Sequence, residues 1–295
     1  MFQATLESIN HVHLSELKVE LLVVDNGQSC PVDEITNSFS KRARFKVIYL
    51  REPRKGKSRA FNHAFRLSRG RVLASTDDDV RFDADWLIKL VAPVLTGKYT
   101  AVSGWVEMAR HLRREWLTPK DYNFFACSHA AQQPHFPGLV GANMAMAREA
   151  MERISGFDEE LGPGALGFGE ETLFQYQLED MGLSVGPAYD AVLEHHFDPA
   201  RLEFSAMLSA AHTYGRVNGY MAYHWHGDRC FAPRFRCTWK QYKMRCRLEG
   251  KNSVISQGID HLALRLSQGC GRMDQYFAES RRPRRYKPAQ WSRWT

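Results

Sequence analysis

The sequence predicts an α/β fold, a mostly parallel sheet covered by helices, and three observations carry that expectation. Short β-rich runs alternate with helical patterns through the first half of the chain. Three consecutive carboxylates, Asp77-Asp78-Asp79, follow the apolar run Val72-Leu73-Ala74-Ser75-Thr76, and the carboxyl ends of strands are where open α/β sheets bind ligands. With 295 residues and an ordinary apolar fraction, the chain is long enough to bury a substantial core, as one large or two small domains.

Taken in order, the β-rich runs Glu20 to Val24 and Lys46 to Leu50 read as strands. A helix over Ser58 to Ser68 and a strand over Arg71 to Thr76 follow. In the next helix, Ala84 to Leu95, Trp86, Leu87, Leu90, Val91 and Val94 recur at helical spacing, which marks a core-facing stripe. Thr100 to Val106 and Leu139 to Ala147 read as strands. The stretch Gly162 to Gly169 holds four glycines in eight residues, too flexible for a regular element and suited to bordering a site. A helix from Glu170 to Met181 comes next, then short strands near Leu183 to Val185 and Ala191 to Glu194. From Arg201 onward the pattern is helical, and the basic end, Arg281-Arg282-Pro283-Arg284-Arg285, reads as a disordered tail.

Charge is unevenly distributed. Residues 229–295 carry a balance of +12 and residues 1–228 a balance of −5, so the basic character belongs to the C-terminal part. No apolar run reaches the roughly 18 residues of a membrane span, and the first residues lack a signal-peptide pattern, so the expected location is cytoplasmic. Six scattered cysteines with no C-x-x-C pair read as free thiols. His224, His226, Cys230 and Cys237 fit no common zinc spacing.

Four constellations bear chemistry. Asp77 and Asp79 offer hard oxygens for Mn2+ or Mg2+, ions that commonly share a carboxylate and substrate phosphates; the alternative is a helix cap beside solvated carboxylates. Glu170 and Glu171 open a helix, where the macrodipole favours acids whether or not they do chemistry. Glu194-His195-His196 follows an apolar strand, and a histidine there is a metal ligand or a core residue. Arg54-Lys55-Gly56-Lys57-Ser58-Arg59 runs into a helix N-terminus, an arrangement suited to phosphate or to a solvated charge run, and it is no Walker loop.

The motifs Val23-Val24-Asp25-Asn26-Gly27, Gly56-Lys57-Ser58-Arg59-Ala60-Phe61-Asn62, Asp77-Asp78-Asp79, Gly141-Ala142-Asn143-Met144-Ala145, Gly156-Phe157-Asp158-Glu159, Gly169-Glu170-Glu171 and His195 occur in an order that resembles the family-2-type glycosyltransferases. The resemblance covers roughly residues 5 to 205. It implies a GT-A-like fold, a single mixed sheet flanked by helices, followed by a helical basic C-terminal extension. The domains it implies are residues 1–205 for transfer, 206–280 for the extension and 281–295 for the tail.

By the same resemblance Asp25, Arg59, Asp77 and Asp78 fall in the donor-binding segments, with Asp25 against the base of a nucleotide. Asp79 and His195 match metal ligands for Mn2+ or Mg2+. Glu171 matches the catalytic base, and Glu170 competes with it because the pair reads Glu-Glu rather than Glu-Asp. The implied activity is inverting transfer of a sugar from a nucleotide-sugar donor to a carbohydrate or lipid-linked hydroxyl acceptor, in cell-surface polysaccharide or glycolipid synthesis. Family members also carry a first strand between the equivalents of Glu20 to Val24 and Arg71 to Thr76, and this sequence starts inside the helix that follows that strand. A non-catalytic accessory or binding protein is therefore a competing reading, as is a sugar nucleotidyltransferase, whose glycine-rich start is absent.

Phe235, Trp239, Tyr242 and Cys246 line one face of a basic helical segment, which suits either packing on the protein or peripheral contact with an anionic membrane at its inner face. No nucleic-acid-binding module accompanies the basic residues, so nucleic acid is not an expected partner.

Overall fold

The computed structural model describes residues 1–27, 31–132, 136, 138–154, 156–228, 239 and 260–286. Two compact units are present: residues 1–113, 118–165 and 170–197 form the first, and 114–117, 166–169 and 198–295 the second. The first unit alternates strands and helices. They are α1 (Phe2–Asn10), β1 (Glu20–Asp25), α2 (Val32–Ser40), β2 (Lys46–Arg51), α3 (Lys57–Leu67), β3 (Val72–Thr76), β4 (Val80–Phe82), α4 (Trp86–Leu95), β5 (Ala101–Met108), β6 (Asn143–Ala147), α5 (Arg148–Ile154), α6 (Glu170–Asp180) and β7 (Val185–His195).

Among the described residues the strands fall into two sheets. β1 and β2 pair in parallel from Glu20↔Lys46 to Asp25↔Arg51, and the other five take the order β3-β6-β5-β7-β4. In the larger sheet only β5 and β7 are parallel; β3 and β5 flank β6 antiparallel, and β4 runs antiparallel to β7. The mixed α/β class stands, but the larger sheet is mostly antiparallel rather than parallel, and the single sheet expected is in two pieces. β1 and β3 each present an edge with no partner strand among the described residues, where the resemblance puts a further strand.

Burial follows that division. The inner strands β5 and β6 are buried almost throughout, and Trp86, Phe125 and Phe174 are among the largest fully buried side chains. The sequences of β1 and β3, Leu21-Leu22-Val23-Val24 and Val72-Leu73-Ala74, are apolar enough for burial on both faces. They are only half-buried, and Ala74 in mid-strand is exposed, because an edge strand has a neighbour on one side alone.

Two asparagines hold the larger architecture. Asn143 is fully buried; its Oδ1 accepts from Trp86 Nε1 at 2.8 Å, while Nδ2 donates to the carbonyls of Trp105 (3.0 Å) and Ala191 (2.9 Å). It thereby joins α4, β5, β6 and β7 beside the irregularity between Gly104 and Trp105, where a Cβ on Gly104 would overlap the amide. Asn62 of α3 pairs with both backbone groups of Phe157, accepting from its N–H at 2.8 Å and donating to its carbonyl at 2.9 Å. Ser58 Oγ adds a bond to the Leu161 carbonyl.

Most elements match the sequence expectation within a residue or two. The run near Leu183 and the one near Ala191 prove to be one eleven-residue strand, β7, which stays paired to β5 past the irregularity. The short α2, β4 and α5 were not anticipated. β4 is a three-residue strand held by its ladder to β7 and by Ser8 Oγ of α1, which accepts from Phe82 N at 2.8 Å.

The second unit contains two long helices, α7 (Phe204–His224) and α8 (His261–Glu279). They approach closely because Gly215, Gly219 and Gly271 lack side chains at the crossing, where a Cβ on any of them would overlap the facing backbone. At one end His224 is fully buried with Nε2 3.0 Å from Glu279 Oε2. Its Nδ1 accepts from Arg285 N at 3.2 Å, so the neutral ring donates from Nε2 to the carboxylate, which also accepts from Arg282 Nη1 at 3.0 Å.

Of the zinc combination considered above, His224 is thus already committed, and Cys230 and Cys237 lie outside the described residues. Cys127 and Cys270 are buried and form no disulfide. The Phe235 to Cys246 face lies outside the described residues apart from Trp239, which is exposed. Of the basic tail, residues 281–286 are described and follow α8 directly; 287–295 are not. No helix among the described residues is long and apolar enough to cross a membrane.

Candidate active site

The three aspartates occupy the turn between β3 and β4, and α1 holds that turn in place. Thr5 Oγ1, buried in α1, donates to the Asp78 carbonyl at 2.7 Å, with the Val80 carbonyl 3.0 Å away. Each aspartate faces a different environment. Asp77 Oδ1 lies 2.5 Å from Lys57 Nζ, the first residue of α3. Asp78 is exposed. Asp79 Oδ1 lies 3.1 Å from His195 Nε2.

The ladder between β4 and β7 creates the last contact. Val80 pairs with His195, and His196 N donates to the Asp79 carbonyl at 2.8 Å, so two residues 116 positions apart sit side by side. The imidazole is almost wholly buried, and its Nδ1 lies 2.8 Å from the Phe125 carbonyl. A carbonyl can only accept, so Nδ1 carries a proton, and Nε2 is the ring nitrogen that faces Asp79. A carboxylate oxygen beside an imidazole nitrogen whose other nitrogen is fixed to a carbonyl fits a divalent metal. Among the described residues no third His, Cys, Asp or Glu joins them, so further ligands would have to come from substrate or water. His196 turns elsewhere, to Glu194 at 2.7 Å.

The second grouping surrounds Lys57. Glu170 and Glu171 begin α6, and Glu171 Oε1 accepts from Gly141 N at 2.9 Å. A Cβ built on Gly141 would meet Glu171 Oε1 at 2.7 Å and Lys57 Nζ at 3.2 Å, which places ammonium and carboxylate no more than about 6 Å apart. Burial alone would push the Lys57 ammonium down; Asp77, Glu170 and Glu171 outweigh it and hold its pKa above the ordinary value.

Glu170 is 2 % exposed, and its Oε2 has no hydrogen-bond partner among the described residues. Its carboxyl is packed against Gly162, where φ is +89° and a Cβ would stand 2.9 Å from the carboxyl carbon. Burial, and then the charge of Glu171, raise its pKa well above the usual carboxylate range, which favours the protonated form. Protonated, Glu170 is the donor in its hydrogen bond with Glu171, whose side chain is only partly buried. Of the two glutamates, Glu171 is thus the less buried.

Asp25 and Arg59 have partners of their own. Asp25, at the carboxyl end of β1, accepts from Gly27 N at 3.0 Å and Tyr49 Oη at 2.9 Å, and Arg51 Nη1 stands 2.5 Å from its Oδ2. Asn26 ties that strand end to the α3 entry, its Nδ2 donating to the Glu52 and Arg54 carbonyls and its Oδ1 accepting from Gly56 N. Below them the buried Glu52 is forked by Arg54, whose Nε and Nη2 donate at 2.9 and 3.0 Å and pull the carboxyl down to about 2. Arg59 Nε donates to Glu159 Oε2 at 3.1 Å.

The sequence reading missed three contributors. Lys57 was absorbed in a basic run that gave no sign of a partner at Asp77. Gly141 was part of a motif without a role, although a glycine between apolar residues marks close approach. The Phe125 carbonyl leaves no trace in a side-chain pattern.

Comparison with known proteins gives the family and the fold. The model of glycosyl transferase family 2 matches residues 1–155. Among curated proteins, the probable glycosyltransferase YdaM of Bacillus subtilis (strain 168) is 24% identical over 173 residues, 54% of this chain and 40% of that protein. The chain thus spans less than half the length of that relative. Among solved structures, the mannosyltransferase PcManGT from Pyrobaculum calidifontis, in complex with GDP-Man and Mn2+, superposes with a TM-score of 0.56 at 16% identity, over 94% of this chain and 70% of that one. GalNAc-T7 with UDP, GalNAc and Mn2+ superposes with a TM-score of 0.53 at 15% identity, over 93% of this chain and 53% of that one. The structural likenesses establish the GT-A glycosyltransferase fold, and with more than half its length matched by the family model, the chain belongs to glycosyl transferase family 2.

Proposed function

We propose that this protein is a metal-dependent inverting glycosyltransferase of the hexosyl type. It moves a sugar from a nucleotide-sugar to the hydroxyl of a carbohydrate or lipid-linked acceptor, at the cytoplasmic side, in polysaccharide or glycolipid synthesis. The observation that carries the reading is the pairing of Asp79 with His195 in the same compact unit as the carboxylate group built on Lys57. The Mn2+ bound in two relatives of the same fold supports the choice of Mn2+ or Mg2+.

Asp79 and His195 would hold the ion, which when bound supplies positive charge opposite the departing diphosphate. Asp25, at the β1 end, and Arg59, at the α3 entry, would meet the nucleotide, with Asp77 and Asp78 nearer the sugar. Glu171, held by the Gly141 N–H, would take the proton of the acceptor hydroxyl as its oxygen attacks the anomeric carbon from the opposite face. Residues 1–205 would form the catalytic domain, with 206–280 as a helical extension and 281–295 as a basic tail.

A second reading, a non-catalytic relative serving as an accessory or binding protein, is favoured by the sheet broken between β1 and β3. Thermal unfolding with Mn2+ and a panel of nucleoside diphosphates separates the two. Transfer predicts stabilisation by at least one nucleotide, lost in Asp79→Ala; no stabilisation by any nucleotide supports the non-catalytic reading.

A further inference from the structure

We propose that Lys57 is a positioning residue for the general base: anchored by Asp77, its ammonium keeps the Glu171 carboxylate ionised and directed at the acceptor hydroxyl. This deepens the glycosyl-transfer reading and rests on Glu171 being the base.

The geometry makes Lys57 an internal counter-ion. It opens α3, an end already fixed by Lys57 N donating to the Pro163 carbonyl at 2.8 Å and by Gly56 N donating to Asn26. Its Nζ stands over the ring of Phe61, 5.4 Å from the centroid, and donates to Asp77 at 2.5 Å. That bond fixes the ammonium beside Gly141, where the missing side chain opens the space between it and Glu171. The charged groups linked to Glu171 among the described residues include Glu170 on its own helix, Lys57 on α3 and, behind the lysine, Asp77 after β3.

With three carboxyls, Asp77, Glu170 and Glu171, around one ammonium, the two glutamates hold a single proton between them most easily. Burial places it on Glu170, and the ammonium stabilises the charge on Glu171. Without Lys57 these three carboxyls would lose their shared cation, and the proton would stay on the glutamate pair at higher pH. A base that must be ionised would then need a higher pH to work.

The test is the pH profile of kcat/KM for the full chain with Mn2+ and the nucleotide-sugar it accepts, in wild type, Lys57→Met and Lys57→Arg. Lys57→Met is expected to move the acid limb upward by about one pH unit, lowering kcat/KM by up to about tenfold at pH values below the limb, with nucleotide affinity changed less than about threefold. Lys57→Arg, which keeps the charge, should restore the limb. A lowered kcat with an unmoved limb overturns the proposal in favour of a structural role. A loss explained by nucleotide affinity overturns it in favour of a lysine that grips the donor. If Lys57→Met does not fold, Lys57→Gln takes its place under the same criteria.

A wild type inactive with every nucleotide-sugar would refute the transfer reading instead. The lysine's effect is then read without activity, by titrating glutamate carboxyl carbons by NMR in wild type and Lys57→Met, with Glu171→Gln to assign the resonance. An unchanged Glu171 titration overturns the proposal.

Discussion

Gly141→Ala tests the placement of the base by adding one methyl group. The new Cβ would stand 2.7 Å from Glu171 Oε1 and 3.2 Å from Lys57 Nζ, where ordinary contact begins at 3.4 Å. The carboxylate must therefore retreat by about 0.7 Å, and its 2.9 Å hydrogen bond from Gly141 N breaks or bends. Gly141 is not among the positive-φ glycines, and the atoms it would crowd are the mobile ends of long side chains. The stability change should thus stay within about 1 kcal/mol, helped by the lower entropy of an unfolded chain with alanine. Misplacing a reacting group by about 1 Å costs up to ~100-fold, so kcat should fall roughly ten- to a hundredfold. Urea unfolding checks the first expectation, steady-state transfer with Mn2+ the second, and nucleotide-induced thermal shift the donor site, which should be unaffected. A folded variant with kcat within twofold of wild type would refute the placement of Glu171 by that contact.

Four further outcomes are expected. Asn143→Ala leaves Trp86 Nε1 and the Trp105 and Ala191 carbonyls without their buried partner, and should lower urea-measured stability by about 3 kcal/mol or more. Glu52 has its folded pKa depressed from 4.5 to about 2, so its contribution is full above the unfolded value and is lost as pH falls from about 4.5 towards 2; Arg54→Ala should flatten that part of the acid unfolding curve. Glu171→Gln should abolish transfer, whereas Glu170→Gln, which mimics the protonated acid, should keep at least about a tenth of kcat. In hydrogen exchange, the amides of β1 and β2, an isolated pair, should exchange before those of β5 and β6; equal protection would contradict the division into two sheets.

The alternating pattern made the strands and long helices legible, since β1, β2, β3, β5 and α3 declare themselves by period and length. The short α2, β4 and α5 were not, because three to nine residues carry too little periodicity and depend on partners such as Ser8 and β7. Within the site, Asp79 and His195 were each visible as residue types, but only the β4–β7 register brings them together. Asn62 and Asn143 belonged to motifs that looked functional; the structure gives them the work of joining loop to helix and strand to strand. That Glu170 is buried and Glu171 only partly so could not be read from a Glu-Glu pair, because burial is a property of the folded chain.

The most direct measurement incubates the full chain with Mn2+ and a panel of nucleotide-sugars and follows nucleotide release, with the anomeric configuration of the product read by NMR. Release with one donor, dependent on Mn2+, giving a product of inverted configuration and lost in both Asp79→Ala and Glu171→Gln, is the predicted result. Retention of configuration, or release that survives Glu171→Gln, would contradict the assignment of the base; no release with any donor, together with no nucleotide binding, would contradict the assignment of the activity.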